Sequence, residues 1–392
     1  MSLPQTDCIA HPRDPQDIAD LASLRALFVC TSRELYGGSA IAPVADGWIE
    51  IVAPPMATGL GTIRGILRHR PDRSDAIPVA EALSLMLDRM EHEHGPRGRD
   101  LARRVRASRH RIATMVSDRL ERPALPPSFL AAEQAMIFGH WMHPCPKALS
   151  GMTVPEERKM TPDWRGALRL TALSVRADLI EATAPDIARD LPGFDLDPGP
   201  GRCLLPAHPL TWDRARRDPA IAALLTRGAI RDLGPVGPGW WATSSVRTLW
   251  RQDSPWQVKA SLPVTITNSR RVNKHHELLA GAAMLARLAG VEARFGPMRL
   301  VGDPHWMTLR LPGRSESGLE LIFRENPWRT DRGGLVILGL AGPGDGVRPD
   351  AAGAGDPGRA RIRHRCARPS GGPSCRHPAD RVAPRMRCRC RP

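Results

Sequence analysis

The sequence has little of what membrane, secreted and metal-binding proteins usually need. Nowhere do about 18 uninterrupted apolar residues occur, and no basic segment followed by an apolar one begins the chain. The eight cysteines form no CxxC motif, and no set of cysteines and histidines has the spacing of a structural zinc site. These absences predict a cytoplasmic protein with free thiols, no membrane span and no metal site.

Lysine, tyrosine and phenylalanine are also scarce. One tyrosine and six phenylalanines leave few side chains to stack on bases, which argues against a nucleic-acid partner. Only four of the 56 basic side chains are lysines, a bias typical of a GC-rich coding sequence. A lysine retained under that bias indicates a position that needs a compact ammonium rather than a planar guanidinium. The four positions are Lys147, Lys159, Lys259 and Lys274.

Much of the net charge of +15 lies near the C-terminus. Residues 341–392 contain twelve arginines, four aspartates and no Leu, Phe, Tyr or Trp. Such a segment buries too little apolar surface to offset its conformational entropy, so we expect a disordered Arg/Pro/Gly-rich tail. Its composition resembles a GC-rich sequence read in the wrong frame. A basic nucleic-acid-binding protein is an alternative, and it predicts salt-dependent affinity that survives in residues 1–340.

Apolar periodicity predicts a mixed, α+β chain. There is no βαβ repeat, GxGxxG motif or Walker loop. Prolines at 123–127 predict a boundary between a mostly helical domain at 1–125 and a second domain at 126–340. The predicted helices are 17–35, 78–118 with a break at 94–96, 128–138, 164–190 and 275–289. The predicted strands are 48–52, 242–250, 256–267, 292–301 and 319–325.

Two of these strands are predicted to present cations on one face. Residues 256–267 alternate apolar and polar side chains, which places Lys259 on the polar face. Ser245 and Arg247 share a face of the preceding predicted strand. If the tryptophans that flank the connecting loop pair with each other, Arg247 lies directly opposite Lys259.

Facing cations repel each other, and a protein tolerates them most readily where an anion lies between them. Arginine offers phosphate a bidentate fork and lysine offers a point charge. The hydroxyls of Ser245, Thr248 and Ser261 would add neutral donors. This pattern predicts a phosphate-binding hairpin, without distinguishing ATP from another polyanion. A solvated polar sheet face is the alternative.

Residues 139–151 contain His140, His143, Cys145 and Lys147. Prolines at 144 and 146 argue against a helix that would bring both histidines to one face, and no fourth metal ligand is evident. We therefore expect a loop that directs imidazole and ammonium groups at an anionic substrate.

Taken in order, these segments resemble the IucA/IucC family of siderophore synthetases that work independently of nonribosomal peptide synthetases. The family patterns GHPxHPxxKxRxG, PxHPWQ and SxRT are similar to residues 139–151, 206–211 and 245–248. Lys259, Arg271 and an Arg324-Glu325 pair follow at the expected distances. The departures are Trp141, Leu149, Leu210 and Thr211, where the family has Pro, Arg, Trp and Gln.

The resemblance implies a cupped-hand α+β fold of thumb, fingers and palm. It implies ATP- and Mg²⁺-dependent adenylation of a carboxylate, typically citrate or a derivative, and its condensation with an amine or alcohol. It also implies phosphate-binding and catalytic residues. These are Ser245, Arg247, Thr248 and Lys259 for the ATP phosphates, and Arg271, His140 and Lys147 for catalysis.

The family continues with a His/Gln/Asn element and acidic metal ligands that have no counterpart here. We therefore expect a truncated, frame-shifted chain with an incomplete palm and impaired catalysis. A homodimer is a further expectation. A non-catalytic polyanion-binding remnant or scaffold is the alternative, and pyrophosphate release that depends on citrate and amine separates it from the ligase.

Overall fold

The computed structural model describes residues 14–52, 63, 65–123, 125, 128–140, 142–288, 291 and 300–329. The tail predicted at 341–392 lies outside these residues, as does most of the strand predicted at 292–301. The described residues belong to one compact unit. The division into domains at 1–125 and 126–340 stays a prediction. In the part of the chain that is described, no helix is both long and apolar enough to cross a bilayer.

The N-terminal region packs two helices on a small sheet. Helix α1 starts after Asp14, whose carboxylate caps it by accepting the backbone N–H of Gln16. Strands β1 to β4 form an antiparallel sheet in chain order. Helix α2 bends at Gly95 (φ 53°), directly before Pro96, where the sequence predicts a break. The elements are α1 (Pro15–Leu35), β1 (Ile41–Val44), β2 (Gly47–Val52), β3 (Gly65–His69), β4 (Ser74–Ala76) and α2 (Val79–Glu121).

Three further antiparallel sheets build the rest of the described chain. A three-stranded sheet has the order β10-β7-β9, a seven-stranded sheet the order β6-β11-β12-β13-β17-β16-β8, and a last sheet the order β15-β14-β5. Their strands are β5 (Leu149–Ser150), β6 (Ala167–Leu168), β7 (Thr171–Arg176), β8 (Ile180–Ala182), β9 (Arg202–Ala207), β10 (Ile230–Pro235), β11 (Trp240–Ala242), β12 (Thr248–Trp250), β13 (Trp256–Ala260), β14 (Leu262–Ile266), β15 (Ser269–Arg271), β16 (His305–Leu309) and β17 (Leu321–Glu325).

Five further α-helices lie in the described ranges, beside single turns of 3-10 helix. They are α3 (Phe129–Gln134), α4 (Val154–Met160), α5 (Pro209–Ala215), α6 (Pro219–Thr226) and α7 (His275–Leu288). Phe194, Trp240 and Phe323 are among the largest side chains of the main core, which the seven-stranded and β10-β7-β9 sheets share. The N-terminal helices and sheet enclose a separate core that contains Leu24 and Met86.

The helix predicted at 164–190 is wrong, because this segment forms strands β6, β7 and β8. Strand β7 is the central strand of its sheet and is buried from Thr171 to Val175. A strand buried on both faces lacks the alternation that identifies exposed strands. Its Leu- and Ala-rich composition is therefore typical of a helix as well. Hydrogen bonding of β7 to strands on both sides makes the segment a strand instead.

Candidate active site

The strand predicted at 242–250 is also wrong, since the chain reverses within it. Strands β11 and β12 pair with each other across the turn 243–247, where the Thr243 N–H donates to the Thr248 carbonyl at 2.8 Å. The Ser245 hydroxyl accepts the Thr248 N–H at 3.2 Å. Val246 has a φ of 66°, which is uncommon for a β-branched residue. Ser245 and Arg247 therefore lie in a turn.

The predicted register between the hairpin strands is wrong by one residue. Thr248, not Arg247, pairs with Lys259, although the Arg247 carbonyl accepts the N–H of Ala260 at 2.9 Å. Because Arg247 lies in the turn, strand alternation does not set the direction of its side chain. Both cations still line the same cavity.

That cavity has a volume of about 400 Å³ and brings together all seven residues for which the resemblance implies phosphate binding or catalysis. They are His140, Lys147, Ser245, Arg247, Thr248, Lys259 and Arg271. Arg111 and Arg324 add to the positive charge, and Asp163 is the acidic residue among the lining side chains. The cavity therefore has a large excess of positive charge.

Two of the cations make no ion pair with a carboxylate within 4.0 Å among the described residues. Arg247 is half-buried and donates from Nη1 to the Oδ1 of Asn273. Burial lowers the pKa of Arg247, and the nearby Arg271 lowers it further. Arg271 donates to the Ile266 carbonyl at 3.3 Å and to the Thr267 hydroxyl at 3.2 Å. A bound anion would stabilise both guanidinium groups.

Lys259 is paired with a carboxylate that the sequence analysis missed. Its Nζ lies 3.5 Å from Asp303, which also accepts two hydrogen bonds from Arg324 at 2.6 and 3.1 Å. Burial alone would raise the pKa of Asp303, but these hydrogen bonds hold it below its usual value. Burial lowers the pKa of Lys259, Asp303 opposes this shift, and Arg324 and Arg247 add to it. The cluster thus has two cations for one anion.

Lys147 is a buried cation of the cavity whose charge is compensated. Its Nζ donates to Asp163 at 2.6 Å, and both side chains are at most 10% exposed. Arg111 approaches the same carboxylate at 3.7 Å. The structure therefore places Lys147 at the cavity, as expected, while its charge is already balanced by Asp163.

Of the loop predicted over residues 139–151, the described residues up to 148 lie outside helices and strands, whereas Leu149–Ser150 forms strand β5. Gly139 has a φ of 69°, and a Cβ at this position would lie 2.9 Å from the Pro146 carbonyl oxygen, so the close approach requires glycine. His140 is exposed, and its Nδ1 accepts the N–H of Met142 at 3.1 Å. The glycine brings the His140 end of the loop next to its Lys147 end.

The other histidines and the cysteine of these motifs have structural contacts. His143 accepts the N–H of Cys145 at 3.2 Å, and burial lowers the pKa of His143. Burial also raises the pKa of the Cys145 thiol. His208 accepts the N–H of Leu210 at 3.2 Å, which caps α5, and burial lowers its pKa to about 3. Within the described ranges, no three His, Cys, Asp or Glu side chains are arranged to hold a metal ion.

Ser261 does not contribute the donor expected from alternation. Its side chain is buried, and its hydroxyl donates to Glu320 Oε2 at 2.8 Å and accepts the N–H of Asn273 at 3.0 Å. The predicted strand 256–267 is in fact two strands, β13 and β14, which belong to different sheets and meet at Ser261. Asn273 and Glu320 escaped sequence reasoning because a single buried polar residue leaves no periodic signal.

Known proteins are similar in sequence over the region that contains these motifs. A family model described as the IucA / IucC family matches residues 128–341. The rhizobactin siderophore biosynthesis protein RhbC of Rhizobium meliloti (strain 1021) is 36% identical over 283 residues, or 64% of this chain and 47% of that protein. A spermidine-citrate ligase of Bacillus anthracis is 32% identical over 246 residues, or 56% of this chain and 41% of that protein. The chain spans less than half the length of these two relatives.

Solved structures share the fold at low sequence identity. The ATP-bound aerobactin synthetase IucA from a hypervirulent pathotype of Klebsiella pneumoniae matches with a TM-score of 0.64 at 23% identity, over 80% of this chain and 62% of that chain. The petrobactin biosynthesis protein AsbB from Bacillus anthracis str. Sterne matches with a TM-score of 0.61 at 16% identity, over 80% and 59%. These likenesses confirm the α+β synthetase fold expected from the motifs.

Proposed function

The chain belongs to the IucA / IucC family, and we propose that it is an ATP-dependent ligase of siderophore biosynthesis. It would adenylate citrate or a related carboxylate and join it to an amine or alcohol. Arg247 and Arg271 carry this proposal, since both line one cavity and neither has a carboxylate partner within 4.0 Å among the described residues. The names of the relatives support the substrate classes, because one is a rhizobactin siderophore biosynthesis protein and another a spermidine-citrate ligase.

In this proposal the triphosphate of ATP lies against the turn 243–247 and strand β13. Arg247 and Lys259 neutralise phosphate charge, and the hydroxyls of Ser245 and Thr248 donate hydrogen bonds. The substrate carboxylate attacks the α-phosphorus, forming an acyl-adenylate and releasing pyrophosphate. Arg271 holds the developing negative charge on phosphate or carboxylate. Such chemistry depends mainly on positioning and charge stabilisation, and a cationic cavity supplies both.

His140 and Lys147 are proposed to line the end of the cavity that receives the carboxylate substrate. Lys147 keeps its Asp163 partner and acts as a fixed dipolar pair, while the exposed imidazole of His140 offers a donor to the substrate. In the second step the nitrogen or oxygen of the nucleophile bonds to the acyl carbon. The acyl–phosphate C–O bond breaks, AMP leaves with its electron pair, and the proton of the nucleophile passes to solvent.

Mg²⁺ is proposed to enter with the ATP phosphates rather than through a protein site. Magnesium in nucleotide sites is usually held by one or two carboxylates and the phosphate oxygens. At this cavity Asp163 is paired with Lys147, and the adjoining Asp303 is paired with Arg324 and Lys259. Neither carboxylate is free to bind a metal ion. A cytoplasmic location and a homodimer stay predictions.

Neighbouring arginines on β15 provide a matched test of the proposal. Arg271 lines the cavity. Arg270 is exposed, and it pairs with Thr265 of the neighbouring strand β14. We expect Arg271→Ala to weaken ATP binding about tenfold to a hundredfold, measured by calorimetry, because a charge-assisted contact is worth about 1.5–3 kcal/mol. Arg270→Ala should change it less than about twofold. Equal losses in both variants would refute the assignment.

A non-catalytic polyanion-binding protein is the second candidate, favoured by the compensated charge of Lys147. It predicts that inorganic triphosphate binds as well as ATP and that no pyrophosphate appears. The ligase predicts pyrophosphate release that requires citrate and increases with an added amine. Measuring pyrophosphate with and without each substrate separates the two candidates.

A further inference from the structure

Helix α3 lies beside the turn 243–247 and contacts it through one acidic side chain. Glu133, near the C-terminal end of this helix, accepts the backbone N–H of Ser244 at its Oε2, at a distance of 2.7 Å. The two residues are 111 positions apart along the chain, so the tertiary fold brings them together. Glu133 is half-buried and belongs to none of the motifs that predicted the site.

The contact holds a turn whose own conformation is unfavourable. Within the turn, the N–H groups of Val246 and Arg247 donate to the carbonyls of Thr243 and Ser245, both at 2.8 Å. Val246 has a φ of 66°, a conformation that costs free energy for a β-branched residue and persists only where surrounding contacts hold it. A carboxylate bonded to the N–H of Ser244, two residues earlier, is such a contact.

Helix α3 is itself anchored at both ends. The Phe129 side chain is 4% exposed, and its ring stacks on Trp328 with centroids 4.4 Å apart. It also contacts Trp250, which lies on β12, the strand that follows the turn. At the other end of the helix, the Gln134 carbonyl accepts a hydrogen bond from α2 at 2.9 Å. The carboxylate between these anchors therefore extends from a fixed support.

The chain that follows α3 continues into the wall of the large cavity. Met136, Gly139 and His140 line this cavity together with residues 244–248. One short stretch of chain therefore carries both the contact to the turn and part of the cavity wall. A shift of α3 would move both of them.

A carboxylate is a costly acceptor beside a site for anions, because its charge repels the ligand. A neutral acceptor would avoid this repulsion. In return, a hydrogen bond to a carboxylate is stronger and shorter than one to a neutral oxygen. The choice of glutamate at this position therefore favours a role in fixing the turn.

We propose that Glu133 is a positioning residue that holds the turn 243–247 in its binding conformation before ATP arrives. By holding the N–H of Ser244, it sets the positions of Ser245 and Arg247, which follow in the chain and line the cavity. Less binding free energy is then lost in ordering the turn. This inference rests on the proposed ligase function, which assigns the turn to the phosphates of ATP.

Two replacements of Glu133 separate its reach from its charge. Glu133→Gln keeps an oxygen acceptor on a side chain of the same length, whereas Glu133→Asp keeps the charge on a side chain that is one methylene shorter. We expect Glu133→Gln to bind ATP within about threefold of the wild type and Glu133→Asp to bind it about tenfold more weakly, measured by calorimetry. Glu133→Ala should resemble Glu133→Asp, while the exposed Glu121→Ala keeps wild-type affinity.

Three outcomes of this titration contradict the positioning role. Wild-type affinity in Glu133→Asp would show that the reach of the side chain does not matter. Equal losses in Glu133→Gln and Glu133→Asp would show that the charge matters instead of the acceptor. Tighter binding in Glu133→Ala would show that the carboxylate blocks a donor that phosphate could use. Thermal melting of each variant establishes that it is folded at the temperature of the titration.

Amide hydrogen exchange tests the contact without any ligand. An N–H that loses its acceptor exchanges more readily with solvent. We expect the N–H of Ser244 to exchange at least about tenfold faster in Glu133→Asp than in the wild type or Glu133→Gln, measured by NMR. The N–H of Val258, on strand β13, should keep its rate. Unchanged exchange at Ser244 in Glu133→Asp would overturn the proposal.

The two measurements also separate this inference from the proposed ligase function. If the wild-type chain binds no ATP, the ligase function is refuted, while the exchange rates still report on the contact between Glu133 and Ser244. If the wild-type chain binds ATP and Glu133→Asp binds it equally well, only the positioning role is refuted.

Discussion

Replacing Asn273 with alanine tests whether a buried network holds Arg247 at the cavity. The Asn273 side chain is 2% exposed and is fully engaged. Its Oδ1 accepts from Arg247, and its Nδ2 donates to the carbonyls of Lys259 and Glu320 at 3.0 and 3.1 Å. One amide therefore connects the guanidinium of one proposed phosphate ligand to the backbone of another.

The magnitude follows from the contacts that alanine cannot make. A hydrogen bond to a charged group contributes about 1.5–3 kcal/mol, and each neutral one about 0.5–1.5 kcal/mol. Contacts in one network are not additive, so we expect Asn273→Ala to lower the free energy of unfolding by about 3 kcal/mol. The freed Arg247 side chain should also weaken ATP binding about tenfold, because it must be ordered again on binding.

Urea denaturation and calorimetric titration with ATP measure the two effects. Asn268→Ala is the matched control, since Asn268 is exposed and close in sequence, and we expect its stability to stay within about 0.5 kcal/mol of the wild type. Asn273→Ala with wild-type stability and wild-type ATP affinity would show that the network does not position Arg247.

Two further predictions concern other buried groups. The pKa of His208 is about 3 in the folded state and about 6.5 in the unfolded chain. Between these pH values the unfolded chain binds more protons than the folded one, so the free energy of unfolding falls as the pH drops through this window. His208→Asn keeps a side chain that can cap α5, and denaturation between pH 4 and 6 should show a pH slope smaller by about 1.4 kcal/mol per unit; an unchanged slope contradicts the burial of a neutral imidazole. Asp163→Asn should lower the free energy of unfolding by about 3 kcal/mol, because Lys147 and Arg111 lose their shared carboxylate, whereas the exposed Asp195→Asn should have little effect. Equal denaturation curves for these two variants would argue against a structural ion pair at Lys147.

Sequence periodicity was sufficient to predict the bounds of elements that have one exposed face. Helices α1 and α2, the break at Gly95 and helix α7 were predicted close to their observed bounds. The ordered motifs also predicted which seven side chains meet in one cavity. Motif order carries this information because it reflects a shared fold, which local periodicity does not encode.

The failures share a physical cause, which is that pairing partners decide what a short segment becomes. Residues 164–190 have helix-forming composition but lie between strands that complete their hydrogen bonds. The reversal at 243–247 depends on Val246 in an uncommon conformation, held by contacts of Thr243, Ser245 and Thr248. No spacing rule could place Asp303 beside Lys259, since 44 residues separate them along the chain.

The junction at Ser261 has a mechanical consequence. Lys259 lies on a strand of the seven-stranded sheet and Arg271 on a strand of the β15-β14-β5 sheet, and this single buried residue joins the two sheets along the chain. The relative position of the two strands that carry these charges therefore depends on this junction. Ser261 is hydrogen-bonded to Glu320 and Asn273, so a ligand that drew the two strands together would have to disturb these buried contacts.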